Sequence, residues 1–177
     1  MEGFLLSDTQ FNPLALSREA EEHSFDCKLC GHCCEGRGGI VVSNADLTRL
    51  CEFLRMNAED FESRWGTRRG KKLFLRSEKN ACVFFRTGKG CSVHAVKPDI
   101  CRAWPYFRGN LIDSESYALA KEFCPGIPQN QDHEAFVRQG LSYLVGKKLS
   151  GSSRPDEAAA IQLSDVLEAL AHDAGKR

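Results

Sequence analysis

The fold is decided by the stretch Cys27-Lys28-Leu29-Cys30-Gly31-His32-Cys33-Cys34. Cysteines two residues apart allow one tight turn to direct two thiolates at one metal, and Gly31 permits a close backbone approach. Three cysteines at this spacing also open the bacterial ferredoxin pattern, which a remote Cys-Pro pair completes. Cys124-Pro125 is such a pair. The stretch therefore predicts a metal site.

Further cysteines extend this pattern downstream: Cys82, Cys91, Cys101 and Cys124. Because Cys33 and Cys34 are adjacent, we expect their side chains to diverge and to serve different ligand sets or different metals of one cluster. Cys82 and Cys91 flank a predicted hairpin turn, which lets two strands present ligands together. The eight thiols suffice for two four-ligand sites, or for one cluster with additional thiols.

The ninth cysteine, Cys51, belongs to a different pattern. It shares the helix-face spacing of Leu47, Leu50 and Leu54, and Ser43 with Asp46 forms a capping-box start to that helix. Cys51 is therefore predicted to be a buried core thiol and not a ligand.

The composition is that of an ordinary globular protein apart from its cysteines. The 177 residues carry 24 basic and 24 acidic side chains, and 42% are hydrophobic. An odd count of nine cysteines excludes complete internal disulfide pairing. The N-terminus lacks a basic region before its apolar residues, and no apolar run is long enough to span a membrane. We therefore expect a cytoplasmic protein without a membrane partner, in which grouped cysteines hold metal.

The charge is distributed unevenly along the chain. Residues 1–26 carry a net charge of −5, residues 27–108 carry 16 bases and eight acids for a net +8, and residues 109–177 carry −3. The favoured interpretation is that these bases offset the negative charge of metal-bound thiolates. The alternative is a patch for an anionic partner, with nucleic acid as the less favoured choice.

Three segments are predicted: an acidic N-terminal arm over 1–24, a cysteine-cluster metal-binding domain over 25–128 and a helical tail over 129–177. The predicted fold class is α+β, a small cysteine-rich domain with short β-hairpins and several helices, followed by the C-terminal helical tail. No internal repeat or low-complexity tract is evident in the sequence.

Local patterns predict the individual elements. Strands are expected at 40–42, 73–75 and 82–85, the last returning through a turn at 87–90, and a second hairpin is expected over 111–119. Helices are expected at 58–64 behind Asn57, from Pro98 to before Pro105, at 132–149 and at 155–172. The two tail helices are predicted to turn inward the side chains of Phe136, Leu141, Leu144, Val145, Ile161, Val166, Leu167 and Leu170.

The cysteine spacing, with Cys91-x2-His94, Lys97-Pro98 and Cys101-Arg102-x-Trp104-Pro105, resembles the YkgJ-type cysteine-cluster family. This is the CxxCxxCC zinc- or iron-chelating domain, also described as an Fe–S-cluster-containing family, and the resemblance covers about residues 25–126. It implies that the metal ligands are Cys27, Cys30, Cys33, Cys34, Cys82, Cys91, Cys101 and Cys124. Lys97-Pro98 stands where the family usually has Arg-Pro. The resemblance does not imply a particular reaction.

Other side chains are assigned supporting roles. His94 is expected to donate or accept a hydrogen bond that orients a metal ligand, without binding the metal itself. The Cys-x2-His spacing would also suit a zinc ligand. Arg102 could bond a cluster sulfur or brace the Cys27 loop, with a surface salt bridge as the alternative. Aromatic side chains are expected to form an apolar wall at the metal: Phe84, Phe85, Trp104, Tyr106 and Phe107.

The first functional hypothesis is that the eight cysteines chelate an iron–sulfur cluster, with 4Fe-4S favoured and a second metal allowed, for electron transfer, redox sensing or metal handling. A redox or metal-handling protein would be the partner. The alternative is a zinc-stapled binding module with a basic surface for nucleic acid or an acidic partner. Because the sequence contains no catalytic motif, we do not expect an enzyme acting on its own. Gly36-x2-Gly39 precedes a strand and so fails the test for a phosphate loop.

Overall fold

The computed structural model describes residues 25–36, 39–149 and 163–174. The predicted acidic arm and the first part of the predicted 155–172 helix, with Ile161, lie outside the described residues. The domain division therefore stays a prediction.

The first two helices start at the capping residues that the sequence predicts. Strand β1 (Val41–Val42) leads into helix α1 (Asn44–Leu54), where the Ser43 side chain accepts from the Asp46 N–H and the Asp46 carboxylate accepts from the Ser43 N–H. Helix α2 (Ala58–Trp65) starts at Asn57, whose side chain accepts from the Asp60 N–H. Both predicted helices are confirmed.

Two longer strands complete a small antiparallel sheet. Strands β2 (Gly66–Arg69) and β3 (Lys72–Leu75) form a hairpin, and β1 pairs with the other edge of β3, which gives the order β1-β3-β2. The sheet packs with α1 and α2 around the first core, formed by Val42, Leu50, Phe61, Leu73, Leu75, Val83, Phe84 and Val93. The predicted strand at 73–75 is confirmed.

The predicted strand at 82–85 is wrong. Strands β4 (Ser77–Glu78) and β5 (Ala81–Cys82) form one short hairpin, and β6 (Phe85–Arg86) and β7 (Gly90–Cys91) form another. Between them the chain turns at Val83 and Phe84, both of which are buried. A continuous strand would have directed these neighbours to opposite faces, so the turn lets both reach the first core.

The predicted hairpin at 111–119 is also wrong. The chain forms helices α3 (Asp99–Ala103), α4 (Arg108–Ile112) and α5 (Ser114–Phe123). The Asp113 side chain accepts from the Ser116 N–H at 2.8 Å and so caps α5. Acidic and serine residues occur both in turns and at helix N-caps. Here the helix forms in place of the hairpin because it buries Tyr117 and Ala120 on one face.

Helix α6 (His133–Gly146) begins at Asp132 as predicted and buries Phe136, Leu141 and Leu144. Val145 is 39% exposed, so its inward assignment is wrong. The buried face is instead completed by Gly140, where an added Cβ would lie 2.6 Å from Cδ1 of Tyr106. The missing side chain lets the helix backbone approach that ring closely.

Helix α7 (Leu163–Ala174) covers the described part of the predicted last helix. Val166 is buried and Leu170 packs against the second core, as predicted. Leu167 is 38% exposed, so the prediction that it turns inward is wrong. The second core includes Tyr106, Leu111, Tyr117, Ile127, Phe136, Leu144 and Val166. Side chains from both sides of residue 128 therefore share one core.

The α+β class is confirmed by these helices and short antiparallel strands. Helix α3 follows the first-core segment and contributes Ala103 to the second core. Within the described residues, no helix is long and apolar enough to cross a membrane.

Candidate metal centre

One cavity collects the predicted ligands. Its volume is about 670 Å³, and its lining includes Cys27, Cys30, Cys33, Cys34, Cys82, Cys91, Cys101 and Cys124. All nine cysteines lie in the described residues and are free thiols. Cys51 is absent from the lining and packs against the first core, where it is partly and not fully buried. The structure therefore separates the eight cysteines of the motif from the ninth.

The first cysteine motif forms a turn that depends on Gly31. Its φ angle is +89°, and an added Cβ would lie 2.1 Å from Cε2 of Phe85. A single 3-10 turn follows over His32–Cys34, in which the Cys34 N–H donates to the Gly31 carbonyl at 2.7 Å. The Phe85 ring thus packs directly on the turn that carries the adjacent cysteines.

The motif is tied to distant parts of the chain by hydrogen bonds. The Asp26 N–H donates to the Gly126 carbonyl at 3.1 Å, and the Gly36 N–H donates to the Asn80 carbonyl at 2.6 Å. Nδ1 of His32 lies 2.5 Å from the Phe123 carbonyl oxygen, to which it donates. These contacts hold the motif between the β4–β5 hairpin and the end of α5.

The downstream cysteines come from separate elements. Cys82 lies in β5 opposite Ser77, and Cys91 lies in β7 opposite Phe85. The expectation that one hairpin presents Cys82 and Cys91 is therefore wrong: two successive hairpins present them, because the chain turns between them. Cys101 lies in α3, and Cys124 follows the last residue of α5.

Helix α3 is positioned by a buried carboxylate. Asp46, whose side chain is 2% exposed, accepts from the Asp99 N–H at 3.0 Å and from Arg49 at 2.6 Å. Arg49 also pairs with the Asp99 carboxylate at 2.7 Å. Asp46, which completes the capping box of α1, thus also orients α3, the helix that carries Cys101.

Arg102 takes the alternative role that the sequence offered. Its guanidinium pairs with Asp99 at 3.1 Å, and its carbonyl accepts from the Tyr143 hydroxyl at 3.1 Å. It is not among the residues that line the cavity in the described structure. Arg102 therefore braces α3 through a salt bridge.

Three thiols form a hydrogen-bonded group. Cys34 bonds to both Cys33 and Cys91, which raises the pKa of Cys34. The bond from Cys34 lowers the pKa of Cys33 to about 6 and that of Cys91 to about 7, and the charge of Lys97 lowers both further. Because Cys34 has one S–H proton to donate, it can stabilise one of these thiolates at a time, and the thiolate is the form in which cysteine binds metal.

The adjacent side chains of Cys33 and Cys34, which were expected to diverge, line the same cavity and influence each other's pKa there. The 3-10 turn at His32–Cys34 replaces the extended backbone that would have separated them.

Two more cysteines interact with this group through charge. Burial raises the pKa of Cys82 and, more strongly, that of Cys101. The negative charges of the Cys33 and Cys91 thiolates raise both pKa values further. Five thiols thus interact with one another: Cys33, Cys34, Cys82, Cys91 and Cys101. The other three, Cys27, Cys30 and Cys124, line the same cavity.

The thiols share the cavity without forming a closed cage. Across 25–36, 39–149 and 163–174, no three Cys, His, Asp or Glu side chains stand as a group that could hold an ion in their present positions. A metal bound in the cavity would draw these thiols towards one another. The donor set is soft thiolate, which suits iron–sulfur clusters and zinc.

His94 and Lys97 lie side by side in the lining. Nζ of Lys97 lies 3.3 Å from Nε2 of His94, and burial followed by the charge of Lys97 lowers the pKa of His94. Acceptance of the Lys97 hydrogen bond occupies the Nε2 lone pair, which supports the predicted supporting role of His94. Lys97 was not anticipated as a cation of the cavity, although its position three residues after His94 is a signal for it.

The predicted aromatic wall is present in part. Phe84, Trp104 and Phe107 line the cavity, and Phe85 packs on Gly31. Tyr106 instead belongs to the second core, where burial raises its pKa to about 12. Phe25 and Phe123, from the two ends of the domain, also line the cavity and were not anticipated.

The fold and this lining define a small cysteine-rich α+β domain that gathers thiols for a metal. The chain belongs to the CxxCxxCC family, described as a putative zinc- or iron-chelating domain, which matches residues 26–125. The match covers more than half of the chain and includes every cysteine of the cavity. It establishes a metal-chelating domain. No solved structure matches the chain.

Proposed function

We propose that the eight cavity cysteines hold an iron–sulfur cluster, with 4Fe-4S favoured and a second metal accommodated by the remaining thiols. The observation that carries the proposal is the single cavity lined by all eight and not by Cys51. The protein would act in electron transfer, redox sensing or metal handling.

The number of thiols supports a group of several metal atoms. A structural zinc ion takes four ligands in a closed tetrahedral site. Eight thiols line this cavity, more than one such ion uses, and this surplus supports a cluster with thiols left for a second metal.

The charge of the cavity supports the same assignment. A four-iron cluster with four thiolates carries a negative charge, which a nearby cation stabilises. The charge of Lys97 favours the thiolate forms of Cys33 and Cys91, and at Cys101 it opposes in part the rise in pKa that burial causes. Because Cys30 and Cys33 are exposed at the surface, a bound cluster would lie within reach of a redox protein partner.

The test is anaerobic purification followed by a visible spectrum and a count of iron, zinc and acid-labile sulfide per chain. We expect a brown protein whose iron matches its sulfide. Cys33→Ala and Cys91→Ala should lose the iron and the colour. Cys51→Ala is the matched control, because Cys51 packs against the first core and should keep the full metal content.

A colourless protein with zinc and no sulfide would overturn the cluster proposal and favour the zinc-stapled module. The specific feature behind that second candidate is the β2–β3 hairpin, which exposes Arg68, Arg69, Lys71 and Lys72. Arg68 pairs with Glu62 and Arg69 lies over the Phe74 ring, so part of the run is engaged within the fold. Binding to nucleic acid through this hairpin would weaken steeply with added salt.

A further inference from the structure

Trp104 contains a buried polar atom without a partner. Within the part of the chain that the structure describes, its indole Nε1 is the buried side-chain nitrogen or oxygen that makes no hydrogen bond. The indole N–H can only donate, and a buried donor without an acceptor is costly and rare. A missing acceptor is therefore the simplest explanation of this atom.

Trp104 belongs to the wall of the cavity that the eight cysteines line. It lines the cavity beside α3, the helix that carries Cys101. Its ring packs edge-to-face on Phe107, with the ring centroids 5.4 Å apart. The other tryptophan, Trp65, packs on Phe61 and Phe84 in the first core and is not part of the described lining.

The backbone on both sides of Trp104 is fixed. The Arg102 carbonyl accepts from the Tyr143 hydroxyl at 3.1 Å, and the Pro105 carbonyl accepts from Nδ2 of Asn110 at 2.7 Å. The contact with Phe107 restrains the ring itself. These restraints hold the indole in place, so the acceptor must come to it.

We propose that Trp104 donates its Nε1–H hydrogen bond to a sulfur atom of the metal–thiolate group bound in the cavity, which makes it a positioning residue for that group. The inference rests on the proposed function, since it requires a bound metal. Both a cluster and zinc would present sulfur, so it does not depend on which metal is bound. A hydrogen bond to cluster sulfur stabilises the more negative reduced state and raises the reduction potential.

The experiment uses the full chain with ¹⁵N-labelled tryptophan and cadmium as the probe. Cadmium is a soft ion that thiolates bind, and ¹¹³Cd can couple to a proton through an N–H···S bond. The chain has two tryptophans, so Trp65→Phe assigns the Trp104 indole signal without altering Trp104. We expect this signal to move downfield, to exchange more slowly with water and to couple to ¹¹³Cd, while the Trp65 signal stays in place.

The outcomes separate this inference from the proposed function. Cadmium–thiolate absorption without movement or coupling of the Trp104 signal overturns the hydrogen bond and leaves metal binding intact. Absence of cadmium binding, together with absence of metal and sulfide from the anaerobic preparation, overturns both. With the native redox-active metal, Trp104→Phe should make the reduction potential more negative than Trp65→Phe does, and equal potentials in the two variants also contradict the proposal.

Discussion

Gly31 shows how one residue shapes the cysteine turn. Its φ angle of +89° disfavours a side chain, and Phe85 occupies the space that a Cβ would need. We predict that Gly31→Ala destabilises the fold by more than the roughly 1–2 kcal/mol expected from the backbone alone, and that it lowers metal content by displacing Cys33 and Cys34. Urea unfolding and metal analysis of the same preparation measure both effects.

Gly88 provides the matched control at this scale. It also has a positive φ angle, +73°, but an added Cβ would meet nothing within 4 Å. Gly88→Ala should cost about 1–2 kcal/mol for its backbone and leave the metal content unchanged. Equal loss of metal in the two variants would contradict the role assigned to the contact between Gly31 and Phe85.

At the scale of elements, Asp46 links the start of α1 to the start of α3. Asp46→Ala should cost about 2–4 kcal/mol, because it leaves the N–H groups of Ser43 and Asp99 without their acceptor. It should also weaken metal binding, since α3 carries Cys101. Asn57→Ala removes the exposed cap of α2 and should cost about 1 kcal/mol with no change in metal affinity. Competition with a chelator measures the affinities, and equal affinities would contradict the link.

The cap of α5 predicts a dependence on pH. Hydrogen bonds from Ser116 lower the pKa of Asp113 below its value in the unfolded chain. The ionised Asp113 carboxylate therefore stabilises the fold above about pH 4, where Asp is ionised in the unfolded chain. This stabilisation is lost as the pH falls through the lower pKa that Asp113 has in the folded protein. Asp113→Asn keeps a good cap without the charge, so its free energy of unfolding should approach that of the wild type as the pH falls from about 4. A pH-independent difference in urea unfolding would argue against this cap.

At the scale of the whole molecule, a bound metal would join the cysteine motif to both cores. Residues 25–36 are attached through few backbone bonds, among them those to Gly126 and Asn80. We predict that removal of the metal speeds hydrogen exchange in 25–36 far more than in α1 or α6. Exchange measured by mass spectrometry before and after chelation tests this. A uniform loss of protection would mean that the metal supports the entire fold.

The local elements were largely predictable because their signals lie within a few residues. Ser43 and Asp46 define a capping box, and Asn57 and Asp132 define helix starts, since a cap side chain bonds a backbone N–H three residues away. Asp113 was misassigned, because an acid followed by serines suits a turn as well as a cap. Burial of Tyr117 and Ala120, which depends on the second core, makes the difference.

The sequence by itself grouped eight cysteines and set Cys51 apart, because the CxxCxxCC spacing and the helix periodicity around Cys51 are local patterns and the downstream cysteines follow the family resemblance. Only the tertiary structure decided that two hairpins, α3 and the end of α5 bring the eight to one cavity. It also placed Lys97 beside Cys33 and left the buried Trp104 indole without an acceptor. These features arise from contacts between segments far apart in the chain, and such contacts depend on how the two cores pack and not on any local spacing.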